Sequence, residues 1–348
     1  MGLTPATGPT PATGPTPAAG PDPRDPIVIA VDGGGSKTDG VALDLAGRLI
    51  ARTRRPAAYA YYADFDPAIA VVDSVIAELS AAAGGRPVVQ AGIYLAGLDL
   101  PAELPMFRSA IAGRDWAAGT TGRPALIDND IFAVLRAGTA ERNAVAVVCG
   151  TGTNCIGVRE DGEQLRFASL GTISGDWGGG WFLGEQAVWH AARAVDGRGP
   201  GTALAQLIPE HFELPDMATV IEALHFGHVR RSMLSRLAPL LFSAAEAGDR
   251  VAAEVVSRQA EEIVVTVMAV LRRLRLIHEP VPVVLGGGVL SSGNPRLLGS
   301  IRSRLAEQAP LARPELLQSA PVLGAALLAL EAAGADEAAL ATARVELG

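Results

Sequence analysis

Three glycine-rich turns, each directly after a short apolar segment, constrain the fold of this chain more than any other feature of its sequence. The turns read DGGGSKTDG at 32–40, CGTGTNCIG at 149–157 and LGGGVLSSGNP at 285–295. Glycine lets backbone amides approach a ligand because no Cβ atom intervenes, and consecutive amides form a concavity that binds anions. Buried strands that end in such turns indicate an α/β protein with anion-binding sites at its strand ends.

Two common phosphate-binding motifs do not match these turns. The P-loop pattern requires a glycine directly before the lysine, whereas Ser36 precedes Lys37. The dinucleotide pattern GxGxxG fails twice, because Thr38 and Cys155 stand where its last glycine is required. The sequence therefore excludes a P-loop ATPase and a Rossmann dehydrogenase.

The length of the chain predicts two lobes. It has 348 residues, whereas single hydrophobic cores stop growing near ~250–300 residues. The start of the chain repeats TPATGP or TPAAGP three times, and proline at this density predicts a disordered or polyproline-like tail over 1–25. We predict an N-terminal lobe over 26–138, joined by a C-terminal helix at 333–348, and a C-terminal lobe over 139–332, with a cleft between them.

The order of strands and helices indicates that one structural unit occurs twice. An apolar strand, a glycine turn and a second strand are predicted over 27–45 and again over 144–158. Further strands are expected at 90–96, 125–127 and 281–285, and helices at 67–83, 217–247 and 250–277. The repetition predicts two similar lobes, each with a phosphate-facing turn.

Charge and cysteine content limit the partners of this protein. Its formal net charge is −8 and no lysine or arginine cluster stands out, so we expect no binding to nucleic acid. Cys149 and Cys155 have the spacing of neither a zinc site nor a disulfide framework. No apolar run reaches the ~20 residues that span a bilayer, and the N-terminus does not read as a signal peptide. We expect a cytoplasmic protein without membrane contact.

The order and spacing of the three turns, with the acidic segment 128–130 between them, resemble the actin-like and hexokinase-like ATPase superfamily. The resemblance is to the branch that holds N-acetylglucosamine kinases, bacterial glucosamine kinases and the BadF/BadG/BcrA/BcrD ATPases, with the bacterial glucosamine kinases as the most similar. It covers residues 27 to about 330. It implies a two-lobed α/β fold of the ribonuclease H-like type, with a βββαβαβα unit duplicated around a cleft.

The resemblance also implies ATP with Mg²⁺ as the cofactors. In this family the first two turns hold the phosphates from the two lobes, and the third turn lies beside the adenosine. Asp32, at the end of the first strand, matches the residue that holds Mg²⁺ through water. The residues that the resemblance assigns to ATP are Gly33, Gly34, Gly35, Ser36, Lys37, Thr38, Gly150, Thr151, Gly152, Thr153, Gly286, Gly287, Gly288 and Asn294.

The acidic residues after the strand at 125–127 supply the candidate general base. Phosphoryl transfer to a hydroxyl needs a carboxylate that orients or deprotonates that hydroxyl. Asp130 matches the base of the family and would open the next helix, whose N-terminus favours an anion. Asp128 is the alternative, and one of the two aspartates could simply cap the helix. We predict Asp130 as the base.

The segment 169–187 is expected to contact the sugar. Relatives of the N-acetylglucosamine kinase type carry GGWG and then GDEG, whereas this chain has GDWGGG and then GEQA, so Asp176 and Glu185 are both candidates. Two carboxylates beside one sugar would suit an ammonium group, which favours glucosamine over N-acetylglucosamine. Equally, one carboxylate could bind hydroxyls while the other caps a helix that begins near Gln186.

Two further residues complete the predicted sugar site. Asn154 follows the second turn and matches an asparagine that reaches the sugar in family members, and Asp99 follows a strand that ends near the same cleft. The resemblance thus implies a kinase that phosphorylates the 6-hydroxyl of glucosamine, with an N-acetylglucosamine kinase or a broader hexose kinase as the alternative. A sugar-sensing regulator is the non-enzymatic alternative. The expected partners are an amino sugar and ATP, and a homodimer remains open.

Overall fold

A computed structural model describes residues 25–119 and 122–348, so the predicted tail over 1–25 lies outside the described residues apart from Asp25. The strands form two five-stranded sheets. The first sheet contains β1 (Ile27–Gly33), β2 (Lys37–Asp44), β3 (Leu49–Pro56), β4 (Val88–Leu95) and β5 (Leu126–Asn129). The second contains β6 (Ala144–Cys149), β7 (Thr153–Val158), β8 (Gln164–Arg166), β9 (Pro282–Gly286) and β10 (Arg313–Leu316).

The two sheets share one topology. Their strand orders are β3-β2-β1-β4-β5 and β8-β7-β6-β9-β10, so the first strand of each unit is central. β1 pairs antiparallel with β2 and parallel with β4, as β6 does with β7 and β9. An antiparallel neighbour needs only a tight turn, whereas a parallel neighbour needs a longer crossover, so the first two glycine turns lie in the hairpins β1–β2 and β6–β7. The predicted α/β fold with a duplicated unit is confirmed.

Helices connect the parallel strands and cover the sheets. They are α1 (Asp66–Ala82), α2 (Glu103–Ala110), α3 (Asp115–Ala118), α4 (Ile131–Gly138), α5 (Gly180–Val195), α6 (Leu204–His211), α7 (Met217–His225), α8 (Ala238–Glu246), α9 (Arg250–Arg273), α10 (Gly288–Ser291), α11 (Pro295–Gln308), α12 (Pro321–Ala333) and α13 (Glu337–Leu347). Short 3₁₀ helices occur at Gly171–Ser174 and Arg231–Leu237. The helical stretch predicted over 217–247 is interrupted at Gly227, whose φ of +78° is left-handed. Within the described ranges no helix is long and apolar enough to cross a bilayer.

α12 lies on the first sheet, although it follows the second sheet in the chain. It packs on β1, β4 and α4, and its leucine and alanine side chains are buried there. Gly324 allows the close approach, because a Cβ atom at this position would overlap the carbonyl oxygen of Ala133. The lobe boundary predicted at 332 is therefore corrected: α12 packs with the N-terminal unit, as α13 does through β3. Chain order alone assigned it to the wrong sheet.

α4 lies where the two sheets meet. It contacts α12 on one side and strands β6, β7 and β9 of the second sheet on the other. Gly138, at its C-terminal end, makes room for the side chain of Val284 on β9. Because Asp130 directly precedes α4, this helix holds the predicted base at the junction of the two lobes.

Candidate functional site

A cleft of about 790 Å³ opens between the two sheets, beyond the carboxyl ends of their parallel strands. Ligands of open α/β sheets bind at such strand ends. The predicted site residues that line the cleft are Asp32, Gly34, Gly35, Ser36, Lys37, Asp99, Asp130, Gly150, Thr151, Gly152, Thr153, Asn154, Gly287 and Gly288. The predicted residues outside its lining are Gly33, Thr38, Asp176, Glu185, Gly286 and Asn294.

The first turn faces the second across this cleft. A Cβ atom on Gly35 would lie 3.9 Å from Oγ1 of Thr151, so the turns of the two lobes are nearly in contact. The amide of Gly34 donates to the carbonyl of Lys37 at 2.9 Å and closes the hairpin between β1 and β2. The backbone amides and the Ser36 hydroxyl thus form an anion-binding concavity open to the cleft.

Gly33 and Thr38 shape the first turn rather than face the cleft. The carbonyl of Gly33 accepts a hydrogen bond from the amide of Ala96 at 2.7 Å, because β1 pairs with β4 at this point. The hydroxyl of Thr38 is buried and donates to the carbonyl of Pro56 at 2.7 Å. Both were predicted as ATP contacts, but they occupy paired strand positions outside the cleft lining.

The second turn is held from behind by the start of α5. The amide of Gly180 donates to the carbonyl of Gly150 at 2.7 Å, and that of Trp181 to the carbonyl of Thr151 at 3.0 Å. The C=O and N–H of one peptide group point in opposite directions, so holding these carbonyls toward α5 directs the amides of Thr151 and Gly152 away from it. Those amides are the groups that a phosphate would need.

The third turn packs against the second. Gly287 has a φ of +88°, and a Cβ atom on it would lie 2.5 Å from the carbonyl carbon of Cys149. Gly286 ends β9 inside the sheet and contacts Val134, so of this turn Gly287 and Gly288 face the cleft. Beside them α8 contributes an apolar wall of Ala238, Pro239 and Phe242. A flat apolar group such as a purine would fit between this wall and the third turn. This wall was not predicted, because apolar side chains within a helix form no recognisable sequence motif.

Asn294 is a helix cap. Its side chain accepts a hydrogen bond from the amide of Leu297 at 2.9 Å and donates to Glu246 at 2.6 Å. It lies outside the cleft lining and directly precedes Pro295, the first residue of α11. Asparagine before proline is a common way to begin a helix. The helix cap accounts for Asn294 structurally, and its contact with ATP stays a prediction.

The carboxylates of Asp32 and Asp130 both line the cleft and repel each other electrostatically. Asp130 precedes α4, and Asp32 is buried at the end of β1. Burial raises the pKa of Asp130 to about 6, although the backbone amides of Ile131 and of Asp130 itself oppose this. Burial raises the pKa of Asp32 well above its usual range, and the charges of Asp130 and Asp39 add to the effect. A cation bound beside Asp32 and Asp130 would be stabilised by both.

The donor set fits Mg²⁺ bound together with a nucleotide. Mg²⁺ takes one or two carboxylates and completes its octahedron with water and phosphate oxygens. Asp32 is the carboxylate of the first turn that lines the cleft. The described part of the chain has no group of three or more His, Cys, Asp or Glu side chains that could hold a metal. Lys37, also in the lining, is held at 2.8 Å by the buried carboxylate of Asp39.

Asp128, the alternative base, belongs to a different environment. Its carboxylate pairs with Arg166 of β8 at 2.7 Å, and that guanidinium lies 4.3 Å from the ring centroid of Phe132. Asp128 lines another cavity, of about 690 Å³, on the far side of β5. Asp128 lies within β5, whereas Asp130 follows the strand with helical dihedral angles (φ −60°, ψ −22°), so the chain has already turned toward α4 and only Asp130 lines the cleft.

A network of amides and hydroxyls lies beside Asp130. Asn129 donates to Asp99 at 2.8 Å, Asn154 donates to Asn129 at 3.2 Å, and Ser169 donates to Asn154 at 2.6 Å. Burial raises the pKa of Asp99 to about 7, with contributions from the charges of Asp130 and Glu103. Ser169 begins the segment expected to contact the sugar, whereas Asn129 was not predicted as a site residue. Ser169 has an unusual φ of +53°, a strain that is common at functional sites.

Asp176 and Glu185 lie in different surroundings. Asp176 accepts a hydrogen bond from the hydroxyl of Ser174 at 2.6 Å. It also lines a side pocket of about 180 Å³, and Asn154 and Ser169 line both this pocket and the cleft. Glu185 lies within α5, where the nearby charge of Arg231 acts on it. The helix begins at Gly180 and not near Gln186, because the glycines before it dock on the second turn. Asp176 is therefore the candidate closer to the sugar network.

Comparison with known proteins agrees with this geometry. The profile of the BadF/BadG/BcrA/BcrD ATPase family matches residues 29–329. An N-acetyl-D-glucosamine kinase of Dictyostelium discoideum is 28% identical over 321 residues, which cover 87% of this chain and 98% of that protein. An N-acetylmuramic acid/N-acetylglucosamine kinase of Clostridium acetobutylicum is 28% identical over 169 residues, 49% of this chain and 55% of that one.

A solved structure gives the same fold. The crystal structure of a Chromobacterium violaceum protein assigned as an N-acetylglucosamine kinase matches with a TM-score of 0.67 at 24% identity, covering 87% of this chain and 98% of the other. At this identity the likeness establishes the two-lobed architecture and leaves the substrate to other arguments.

Proposed function

The chain belongs to the BadF/BadG/BcrA/BcrD ATPase family, and from that premise we propose that it is a sugar kinase that transfers a phosphoryl group from ATP to the 6-hydroxyl of N-acetylglucosamine. The observation that carries the proposal is the buried carboxylate of Asp130 in a cleft to which both lobes contribute a glycine turn. The names of two relatives, one matched over nearly its whole length, support N-acetylglucosamine as the sugar.

Each part of the cleft supplies one requirement of phosphoryl transfer. The amides of the first and second turns bind the phosphates, and Lys37 adds a positive charge beside them. Asp32 would hold Mg²⁺ bound with the nucleotide, and the ion would supply positive charge for the phosphate oxygens. Asp130 accepts a hydrogen bond from the attacking hydroxyl and takes its proton as the new O–P bond forms and the bond from the γ-phosphorus to the oxygen of the departing ADP breaks. Asp99 and Asn154 orient the other hydroxyls of the sugar, and the buried Asn129 holds both of them by hydrogen bonds.

Glucosamine is the second candidate substrate. The pKa of Asp99 is raised by burial, then by the charges of Asp130, Glu103 and Asp176, so negative potential accumulates on the sugar side of the cleft. A protonated amino group would relieve that repulsion, whereas an acetamide would not. The names of the relatives favour the acetamide.

The sugar is identified by comparing kcat/KM for N-acetylglucosamine, glucosamine and glucose in an assay of ADP release with Mg²⁺ and ATP. We expect the highest value for N-acetylglucosamine. A preference for glucosamine would transfer the assignment to the second candidate. If none of these sugars, nor any other hexose or hexosamine, stimulates ADP release, the kinase proposal is wrong.

The rate should depend on pH through Asp130. Its carboxyl must be ionised to accept a proton, and burial raises its pKa to about 6. We therefore expect kcat/KM to rise about tenfold per pH unit below pH ~6 and to level off above it. The check is a profile from pH 4.5 to 8.5 at saturating Mg²⁺ and ATP. A profile that is flat across pH 6, or the persistence of the same rise in Asp130→Asn, would contradict the assignment of the titrating group.

A further inference from the structure

A single glutamine is buried behind the second glycine turn. Gln259 lies on the apolar face of α9, between Val256 and Ile263, and its side chain is inaccessible to solvent. Its Oε1 accepts a hydrogen bond from the amide of Gly179 at 3.2 Å, whereas its Nε2 meets no acceptor in the described part of the chain. Buried polar groups are usually paired, so a half-paired glutamine in this core requires an explanation.

The side-chain amide of Gln259 packs directly on two glycines. Gly178 and Gly179 have φ values of +122° and +86°, which other residues rarely adopt. A Cβ atom on Gly178 would overlap the amide of Gln259, and one on Gly179 would lie 2.6 Å from the carbonyl carbon of Gly152. Gln259, Gly179 and Gly152 therefore form a continuous contact from the core of the lobe to the turn that faces the cleft.

The same contact positions the backbone N–H groups that donate hydrogen bonds to the second turn. Gly179 is followed directly by Gly180 and Trp181, whose amides donate to the carbonyls of Gly150 and Thr151. A shift of the peptide group at Gly179 would move both donors, because consecutive peptide groups are covalently linked. The hydrogen bond from Gly179 to Gln259 is thus placed to control the direction of the turn amides.

We propose that Gln259 is a positioning residue for the nucleotide: by holding the amide of Gly179, it fixes the start of α5 and, through it, the second phosphate turn. The inference rests on the proposed function only in assigning that turn to ATP. The unpaired Nε2 supports this role. An apolar side chain of similar size would pack equally well without leaving a buried donor unpaired, so packing alone does not account for a glutamine here.

Gln259→Met tests this role because it keeps the volume and removes the acceptor. We expect the Kd for ADP and the KM for ATP to rise about tenfold and the KM for the sugar to stay within about twofold. The melting temperature should change little, since removal of the unpaired Nε2 offsets the loss of the acceptor for the amide of Gly179. A variant that melts lower but, when folded, binds ADP like the original protein has lost only packing, and that result overturns the proposal.

Gln259→Glu is the conservative variant, because it keeps an oxygen where the amide of Gly179 needs an acceptor. Its Kd for ADP should stay within about threefold of the original value, and an equal loss in both variants contradicts the proposal. Val265→Ala, at an exposed position on the same helix, is the control and should bind ADP normally. The ADP assay needs no sugar, so a wrong sugar assignment leaves its outcome unaffected. Failure of the original protein to bind ADP would overturn both proposals.

Discussion

Asp130→Asn is expected to lower kcat by about 10²–10⁴-fold while the KM for ATP and for the sugar changes little. The asparagine keeps the size and an acceptor oxygen, but it cannot take the proton of the attacking hydroxyl. Asp130 lines the cleft but belongs to none of the glycine turns, so nucleotide binding should persist. Steady-state kinetics with both substrates varied separates the two effects.

The same substitution is expected to stabilise the fold at neutral pH. Burial raises the pKa of Asp130 from 3.8 to about 6, so keeping this carboxyl ionised in the folded state costs up to about 3 kcal/mol. A raised pKa contributes stability that is present below pH ~3.8 and is lost as the pH rises through about 6. Asparagine carries no such penalty, so the melting temperature should rise at pH 8 and hardly change at pH 4.

Asp128→Asn is the matched control, since Asp128 and Asp130 flank the same asparagine. It breaks the ion pair with Arg166 and leaves the cleft carboxylates in place, so kcat should change by no more than a few fold. Ion pairs at partly exposed positions contribute on the order of 0–1 kcal/mol, which limits the loss of stability. Equal losses of kcat in the two variants, or normal turnover by Asp130→Asn, would show that the base is another residue.

Gly287→Ala should raise the Kd for ADP by about 10- to 100-fold. The φ of +88° at this position is strained for alanine, and the added Cβ would lie 2.5 Å from the carbonyl carbon of Cys149. Relief of that overlap requires the third turn to move away from the second, and both turns face the nucleotide side of the cleft. Calorimetric titration of ADP measures the effect directly.

Gly299→Ala controls for the general effect of replacing a glycine. Gly299 lies inside α11, where an added Cβ meets nothing within 4 Å. Alanine should stabilise this helix by about 0.5–1 kcal/mol and leave ADP binding unchanged. If Gly287→Ala binds ADP as well as Gly299→Ala does, the third turn has no part in nucleotide binding.

Sequence analysis predicted the parts of the cleft that depend on local chemistry. A glycine turn after an apolar strand can be read from adjacent residues, and Asp32, Asp130 and Asn154 each follow such a strand or turn. All three line the cleft. The repeated strand and turn pattern also predicted two similar lobes, and the two sheets have equivalent strand orders.

The remaining features depend on contacts between segments that are distant in the chain. Asn294 reads as part of a motif, but its side chain caps a helix and pairs with Glu246. α12 packs on the sheet formed by the first part of the chain, which its position in the sequence does not reveal. Gln259 gave one signal that was overlooked, a lone polar residue at an apolar position of α9. Its partner, Gly179, could be identified only from the folded chain.

Product analysis tests the central claim most directly. The protein is incubated with ATP, Mg²⁺ and N-acetylglucosamine and followed by phosphorus NMR, with Asp130→Asn in parallel. We expect the γ-phosphate signal to be replaced by ADP and by one phosphomonoester coupled to the protons on C6 of the sugar, at a rate that the variant lowers by orders of magnitude. Unchanged ATP, or inorganic phosphate as the sole new phosphorus product besides ADP, would contradict it.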